Sequence, residues 1–510
     1  MSAAPDVRGA SAAAVTPVDL EQLDLDAFGG RPVAVLGLAR SGIALARFLS
    51  DRGALVTAYD ARPSTDLGEA IAALDGRSVR LLLGPDIQPD EALAGQALIC
   101  TSPSVSSRYP TTEPRLRQAL GRVEADGRVP VVSEIDLFLR LCPARTVGVT
   151  GTKGKTTTSS LIAAVLAAGA EPVLLGGNIG TPLVERLPGL GRSHRVVLEL
   201  SELQLPTLSR GTDVAVYTHV TGDHLDRHGS LEAYRAVKRR LAELLPVDGA
   251  LVLNAEDPVS AGYAADAPPA ASVVRYRRQE PGPGELGVRD GWIVARDVPD
   301  LQGQVAGGRL MPLAELAIPG QHNISNALAA AAVGVLLGIP TDGVRSAMRA
   351  FSGVEHRLEP LATFDGIRWV NDSQGTQPDA VIAALRSFPR PLVLIAGGRS
   401  KGLPMEELAA VAAERADAAV LMGESGPELS ALFQAAGLRH LATARDLTEA
   451  VATAEVIARS LLASERAAPV TVLLSPAATS FDMFKDYEAR GRAFKSAVAD
   501  LAARRRSGTP

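Results

Sequence analysis

Short apolar runs, most of them ending on Gly, Ser, Thr or Asp, recur along the chain. They are PVAVLG (32–37), LVTAYD (55–60), ALICTSP (97–103), TVGVTG (146–151), RVVLELS (195–201), VAVYTHVT (214–221), ALVLN (250–254), PLVLIAGG (391–398), AAVLMG (418–423) and TVLLSP (471–476). Ala-rich helical stretches lie between them. Strands alternating with helices bury their apolar faces as parallel sheets with helices packed on the faces. The fold class expected is therefore α/β. Aromatic residues are only 4% of a chain that is 46% hydrophobic, so the cores must be built from Ala, Val and Leu, which suits stacked layers. In such sheets ligands collect beyond the carboxyl ends of the strands. The residues just after each run are the ones to read for chemistry.

A length of 510 residues allows about three domains. LCPARTV (141–147) reads as a linker and FSGVEHRLEP (351–360) as a second junction. The divisions expected are a loose tail over 1–30 and domains over 31–142, 143–354 and 355–510. The stretch 265–315, rich in Pro, Gly and charge with weak strand patterns such as GWIVARD, reads as an irregular excursion within the second domain. A formal net charge of −5 gives no overall basic field for nucleic acid. Cys100 and Cys142 each lie beside apolar runs and read as buried thiols in a reducing compartment rather than a disulfide. No apolar run reaches the roughly 18 residues of a membrane span. The expectation is a soluble cytoplasmic chain, without nucleic-acid or membrane partners.

The stretch VGVTGTKGKTTTSS (147–160) places a Gly-rich loop between a strand and a helix. Its spacing departs from the common G-x-x-x-x-G-K-[ST] phosphate loop, because Val149 stands where the first glycine belongs. The context is still complete. Glycines let backbone N–H groups curl toward phosphate, and the helix N-terminus adds a positive dipole end. Lys155 can reach the β- and γ-phosphates, and the Thr156 hydroxyl can ligate Mg²⁺. Glu199, at the end of RVVLE, is an acid at a buried strand terminus, which requires a partner or a metal. His224 follows another strand; alone it reads as structural, and beside the loop and Glu199 it reads as a ligand. In LEAYRAVKRRLAELL (231–245), Lys238 falls inside the apolar stripe of Leu231, Tyr234, Leu241 and Leu245. It either snorkels outward or is a buried amine available as a nucleophile, for example toward CO₂.

With these residues in hand, the chain resembles the Mur ligases, and within them the branch that adds D-glutamate. The motifs that carry the resemblance are T-G-T-x-G-K-T (150–156), GGNIG (176–180), LELSELQL (198–205), DHLDRHGS (223–230), YRAVK (234–238), GQHNISNALAA (320–330), HRLE (356–359), NDSQGT (371–376) and LLSPAATSFDMFKDYEARG (473–491), in the family's order. The resemblance covers nearly everything from about residue 31 onward. It implies a Rossmann-like UDP-binding domain, a central ATPase domain with a parallel sheet, and a C-terminal Rossmann-like α/β domain. It also implies ATP, two Mg²⁺ sites and an N-carboxylated Lys238 as cofactors, UDP-N-acetylmuramoyl-L-alanine and D-glutamate as substrates, and a monomer.

Carried over residue by residue, the resemblance makes Gly151, Thr152, Lys153, Gly154, Lys155, Thr156 and Thr157 the phosphate loop, with Asn323, Asn326, Arg357 and Asp372 as further ATP contacts. Thr156, Glu199, His224 and Lys238 are the implied metal set, and Lys155, His224 and Lys238 the implied catalytic residues. Arg40, Ser41, Asp60, Ser102, Asn178, Ser201 and Gln204 are implied to hold the UDP substrate. Thr376, Lys401, Ser480, Phe481 and Tyr487 are implied to hold D-glutamate. GLARSG (37–42) also resembles a dinucleotide fingerprint with Ala39 for its middle glycine, which by itself fits a dehydrogenase as well. Gln374 departs from the family's frequent Lys, Ser104 from its Gly, Ala61 from a hydroxyl residue, Tyr487 from a common Phe and Ala478 from a common Cys. The rival readings are a relative that adds a different amino acid and a non-catalytic nucleotide-binding protein. Closure of the domains over the substrates is a further expectation.

Overall fold

In the computed structural model, residues 15–222, 228–298, 308–318, 320–400, 403–464 and 469–507 are described. His224 and Lys401 lie outside them. The chain divides into two compact units, Met1–Phe351 and Ser352–Pro510.

The first unit holds two sheets. One has the order Val79–Leu83, Leu55–Asp60, Pro32–Leu36, Leu98–Thr101, Val131–Ser133, all parallel. Chain order reverses between Pro32–Leu36 and Leu98–Thr101, which is where a doubly wound sheet opens a crevice. The second sheet has nine strands: Arg309–Pro312, Trp292–Arg296, Glu285–Arg289, Ser272–Tyr276, Ala250–Asn254, Val214–Tyr217, Arg145–Thr150, Arg195–Glu199 and Val173–Gly177. Its side chains alternate between two cores. Val196, Leu198, Ala215 and Tyr217 face one, and Val147, Val149, Val197, Val214 and Val216 face the other. The first of these cores runs without a break into the first sheet, reaching Phe28, Val33, Leu49, Ile135 and Phe138.

The stretch 265–315 corrects the sequence reading. Ser272–Tyr276 pairs parallel with both of its neighbours, and the strands beyond it pair antiparallel, so the segment extends the sheet. Asp290 and Gly291 both have positive φ, at 51° and 75°, and join Arg289 to Trp292. A two-residue Asp-Gly turn of this kind matches strand twist. It was the signal available in a segment whose charge and proline masked the alternation.

Helix Gln321–Leu336 is buried from Asn326 through Val335. Its alanines at 327 and 329–332 allow close packing on helix Lys155–Leu166, and at Gly334 a Cβ would sit 2.6 Å from Val165 Cγ1. This approach brings Asn326 to the Gly-rich loop.

The second unit has one sheet, ordered Glu359–Phe364, Ile367–Asn371, Val470–Leu474, Leu392–Gly397, Ala418–Met422, Leu441–Thr443. Only the first pair is antiparallel. Every apolar run named from the sequence contains a strand. Cys100 is a buried free thiol, and Cys142 is also free but only partly buried, less enclosed than expected. Among the described residues no helix is long and apolar enough to cross a membrane.

Candidate active site

The reversal point of the first sheet builds a cradle. Gly37 has φ 87°, and a Cβ on Gly42 would collide with the Gly37 carbonyl, so this turn tolerates no side chain there. Ser102, at the end of the neighbouring strand, donates from Oγ to the Gly37 carbonyl at 3.1 Å. Asp60 accepts from the Leu38 N–H at 2.8 Å and from the Arg62 side chain at 2.8 and 3.0 Å. Burial pushes the Asp60 carboxyl up, but the Arg62 and Leu38 donors outweigh it and hold it below the usual range. A cavity of about 350 Å³ opens here, lined by Gly37, Asp60, Arg62, Ser102, Glu113 and Leu203 among others. Ser41 follows Arg40 in the first turn of helix Arg40–Asp51, and the Arg40 guanidinium reaches the Gly180 carbonyl at 3.1 Å. Arg62 was missed by the sequence reading; its bond to Asp60 shows only in the folded pocket.

The Gly-rich loop follows the inner strand Arg145–Thr150, between the ends of Arg195–Glu199 and Val214–Tyr217. Gly151 and Gly154 have φ 148° and 88°. A Cβ at Gly151 would collide with Thr218 Oγ1, and one at Gly154 would sit 2.7 Å from Asn326 Oδ1. Thr218 Oγ1 donates to the Lys153 carbonyl at 2.7 Å, and the Thr152 N–H donates to the His219 carbonyl at 2.7 Å. Thr152 Oγ1 lies 3.0 Å from the Tyr234 hydroxyl. Lys155 Nζ bonds the Gly151 and Thr152 carbonyls at 3.1 and 2.9 Å, curling over the loop. Lys155, Thr156 and Thr157 form the first turn of a helix whose N-terminal N–H groups face the loop. Lys153 is exposed. Asn326 is buried and takes a hydrogen bond from Thr158 Oγ1 at 3.1 Å while donating to Asn323 at 3.1 Å. In this arrangement Asn326 braces the loop.

Beside the loop, Glu199 is 2% exposed. One carboxylate oxygen accepts from Asn178 Nδ2 at 2.8 Å, and Oε2 has no hydrogen-bond partner among the described residues. An orphaned buried carboxylate oxygen is costly. A hard divalent cation would satisfy it, and oxygen donors are what Mg²⁺ prefers. Thr156 is at hand as a second oxygen donor, so the residues present fit the metal. Lys238 is fully buried, which excludes the snorkelling alternative. Its Nζ lies 3.4 Å from Thr150 Oγ1 and 5.4 Å from the Tyr234 ring centre. Thr150 ends the strand between those carrying Glu199 and Tyr217, so this amine reaches the strand-end row where the loop begins. Ser201 and Gln204 satisfy one another, with Gln204 Oε1 accepting from Ser201 N and Oγ at 3.0 and 3.1 Å.

In the second unit, four segments converge at strand ends. Asp372 is buried and accepts from Ser475 Oγ at 2.6 Å and the Leu358 N–H at 3.1 Å. Burial pushes its carboxyl up to about 6, against those two donors. Arg357 is exposed next to His356, whose ring meets the Tyr487 ring edge-on at 6.4 Å. Thr376 is partly buried, Ser480 is 3% exposed and Phe481 is 62% exposed. Gln374 Oε1 is buried with no partner among the described residues, on the same loop as Asp372 and Thr376.

Residues 149–334 match the Mur ligase middle domain, and residues 356–475 match the Mur ligase glutamate ligase domain. The UDP-N-acetylmuramoylalanine--D-glutamate ligase of Symbiobacterium thermophilum is 39% identical over 476 residues, covering 92% of this chain and 98% of that protein. The enzyme of the same name from Pelotomaculum thermopropionicum is 38% identical over 479 residues, covering 93% and 98%. Among solved structures, a UDP-N-acetylmuramate-alanine ligase from Thermotoga maritima superposes with a TM-score of 0.51 at 18% identity, covering 92% of this chain and 100% of that one, a likeness of fold. With sequence identity of this degree sustained along almost the full length of both proteins, the chain belongs to the Mur ligase family.

Proposed function

We propose that this chain is an ATP-dependent ligase of peptidoglycan synthesis that joins D-glutamate to the alanyl carboxylate of UDP-N-acetylmuramoyl-L-alanine. The observation that carries the reading is the orphaned Glu199 carboxylate oxygen beside the Gly-rich loop, in a chain whose full-length relatives bear that activity's name. The alanyl carboxylate attacks the γ-phosphorus of ATP, ADP leaves, and an acyl phosphate forms. The D-glutamate amine then adds to the acyl carbon, loses a proton, and expels phosphate to leave the amide.

The loop N–H groups and Lys155 hold the transferring phosphoryl group in line, and positioning of this kind carries most of such a reaction. Thr156 and Glu199, together with His224, would hold Mg²⁺, which would supply charge neutralisation on the phosphate oxygens. Lys238 is proposed to react through its buried amine with CO₂, losing a proton and becoming a carbamate whose negative charge adds to that metal set. Arg40, Ser41, Asp60 and Ser102 are proposed to hold the UDP moiety, with Arg62 closing on Asp60. Thr376, Lys401, Ser480 and Tyr487 are proposed to hold D-glutamate, and Asn323, Arg357 and Asp372 to contact ATP.

The decisive test is phosphate release from ATP in the presence of UDP-N-acetylmuramoyl-L-alanine and a panel of amino acids. Release that depends on D-glutamate is expected. Release only with L-alanine or a diamino acid would overturn the reading.

A further inference from the structure

Arg490 is the largest charged side chain that the second unit buries completely. It lies in the first turn of helix Tyr487–Ser507. Its Nε and Nη2 donate to Ser373 Oγ at 3.0 Å and the Ser373 carbonyl at 2.9 Å, and its Nη1 donates to the Ala478 carbonyl at 3.2 Å. Ser373 Oγ in turn donates to the Tyr487 carbonyl at 2.7 Å. Each arm of the guanidinium is thus bonded to a loop, and none to a carboxylate. Among the described residues no acid forms an ion pair with it; Asp482 and Asp372 act on it only through space.

A buried cation without an ion pair is destabilising compared with an apolar side chain of similar volume. If the position served packing alone, Met or Leu would stabilise the unit better. What arginine adds is a planar fork that bonds two separate backbones in one fixed geometry, which a lysine ammonium does not match. The surroundings leave the fork no slack. At Gly398 a Cβ would sit 3.2 Å from Arg490 Nη1, and one at Gly491 would collide with the His356 ring. The two loops meet again where the Ala477 N–H donates to the Gly375 carbonyl at 2.9 Å, with Ala477 held at φ 57°.

We infer that Arg490 is a positioning residue, one that sets the spacing between loops 371–376 and 475–481 and so aligns the groups that receive ATP and the incoming amino acid. This rests on the ligase reading above, in which Asp372 and Thr376 flank Ser373 on one loop and Ser480 lies on the other. Burial draws the guanidinium down to about 10, so it stays a cation throughout the working range of pH.

The test compares full-length wild type, Arg490→Lys and Ser373→Ala by thermal melting and by steady-state kinetics for each of the three substrates. In Arg490→Lys the KM values for D-glutamate and ATP are expected to rise about tenfold, while that for the UDP substrate stays within about twofold. Ser373→Ala, which removes one acceptor and keeps the arginine, is expected to shift the same two constants in the same direction by a smaller factor. A purely structural residue would lower the melting temperature and leave the KM values of the folded enzyme unchanged, and that result overturns the inference. If Arg490→Lys does not fold, unchanged KM values in Ser373→Ala overturn it instead. If wild type shows no D-glutamate-dependent turnover, the ligase reading falls separately. Equilibrium ATP affinity of the same variants then tests the tie between the loops, and unchanged affinity refutes it.

Discussion

At the scale of single residues, charge placed where water is absent marks the site. Lys238 was legible in the sequence because a helix wheel sets it between apolar neighbours, and its burial follows from that arc. Under the carbamate proposal, Lys238→Ala should be nearly inactive, and acetate or formate should restore part of the turnover by filling the vacated anion position. Full activity without added acid would refute the carbamate. Lys155 is different, because its amine rests on loop carbonyls and contributes little packing. Lys155→Ala is expected to keep the wild-type melting temperature and lose about 10²–10³-fold or more in turnover, the scale for removing one preorganised group that stabilises developing charge. Normal turnover in a folded Lys155→Ala would refute its role. Arg490 and Arg62 were not legible. An arginine in a stretch such as KDYEARGRAFK reads as a solvated helix face, and only the loops that close around it from distant parts of the chain reveal its burial.

At the scale of elements, the strand–loop–helix unit at 145–166 was readable because both glycines of its loop, Gly151 and Gly154, occupy backbone conformations that other residues resist. The hairpin within 265–315 was not, because charge and proline masked the alternation that flanks its Asp290-Gly291 turn. Glu134, the first residue of helix Glu134–Leu141, shows how one element joint responds to pH. It is 3% exposed, accepts a hydrogen bond from the Val184 N–H at 3.4 Å, and burial pushes its carboxyl up to about 7 against that donor. A carboxyl whose folded pKa lies above its unfolded value of 4.5 binds a proton more tightly when folded, so stability falls as pH rises from about 4.5 to about 7. Glu134→Gln should therefore raise the melting temperature at pH 8 and leave it nearly unchanged at pH 4. The gain has an upper bound of about 3 kcal/mol, because each tenfold difference in proton affinity between the folded and unfolded chain is worth about 1.36 kcal/mol. Equal effects at both pH values would show that the carboxylate charge is not the cause.

For the whole molecule, the alternation of apolar runs with helices was enough to read α/β sheets, because buried parallel strands are apolar on both faces. Strand order was not readable, since it depends on which helices cross which face. The reversal point in the first sheet nevertheless fell at the turn the sequence had marked, GLARSG. Binding of UDP-N-acetylmuramoyl-L-alanine should slow hydrogen exchange in segments 37–42, 60–62 and 102–113, and raise stability by about 2.7 kcal/mol at a hundredfold excess over Kd. Unchanged exchange in all three segments would move the UDP site elsewhere.

The apolar core that runs from Phe28 and Phe138 through Leu183 and Val196 to Tyr217 limits how this protein can be dissected. A fragment ending at residue 142 would carry away half of that core and display the cut face to water. Such a fragment should express as aggregates, because large contiguous apolar patches associate. A fragment ending at Phe351 keeps the core whole and should melt in one cooperative step. The five-stranded sheet, though a topological module, is thus expected to fail as a separate piece.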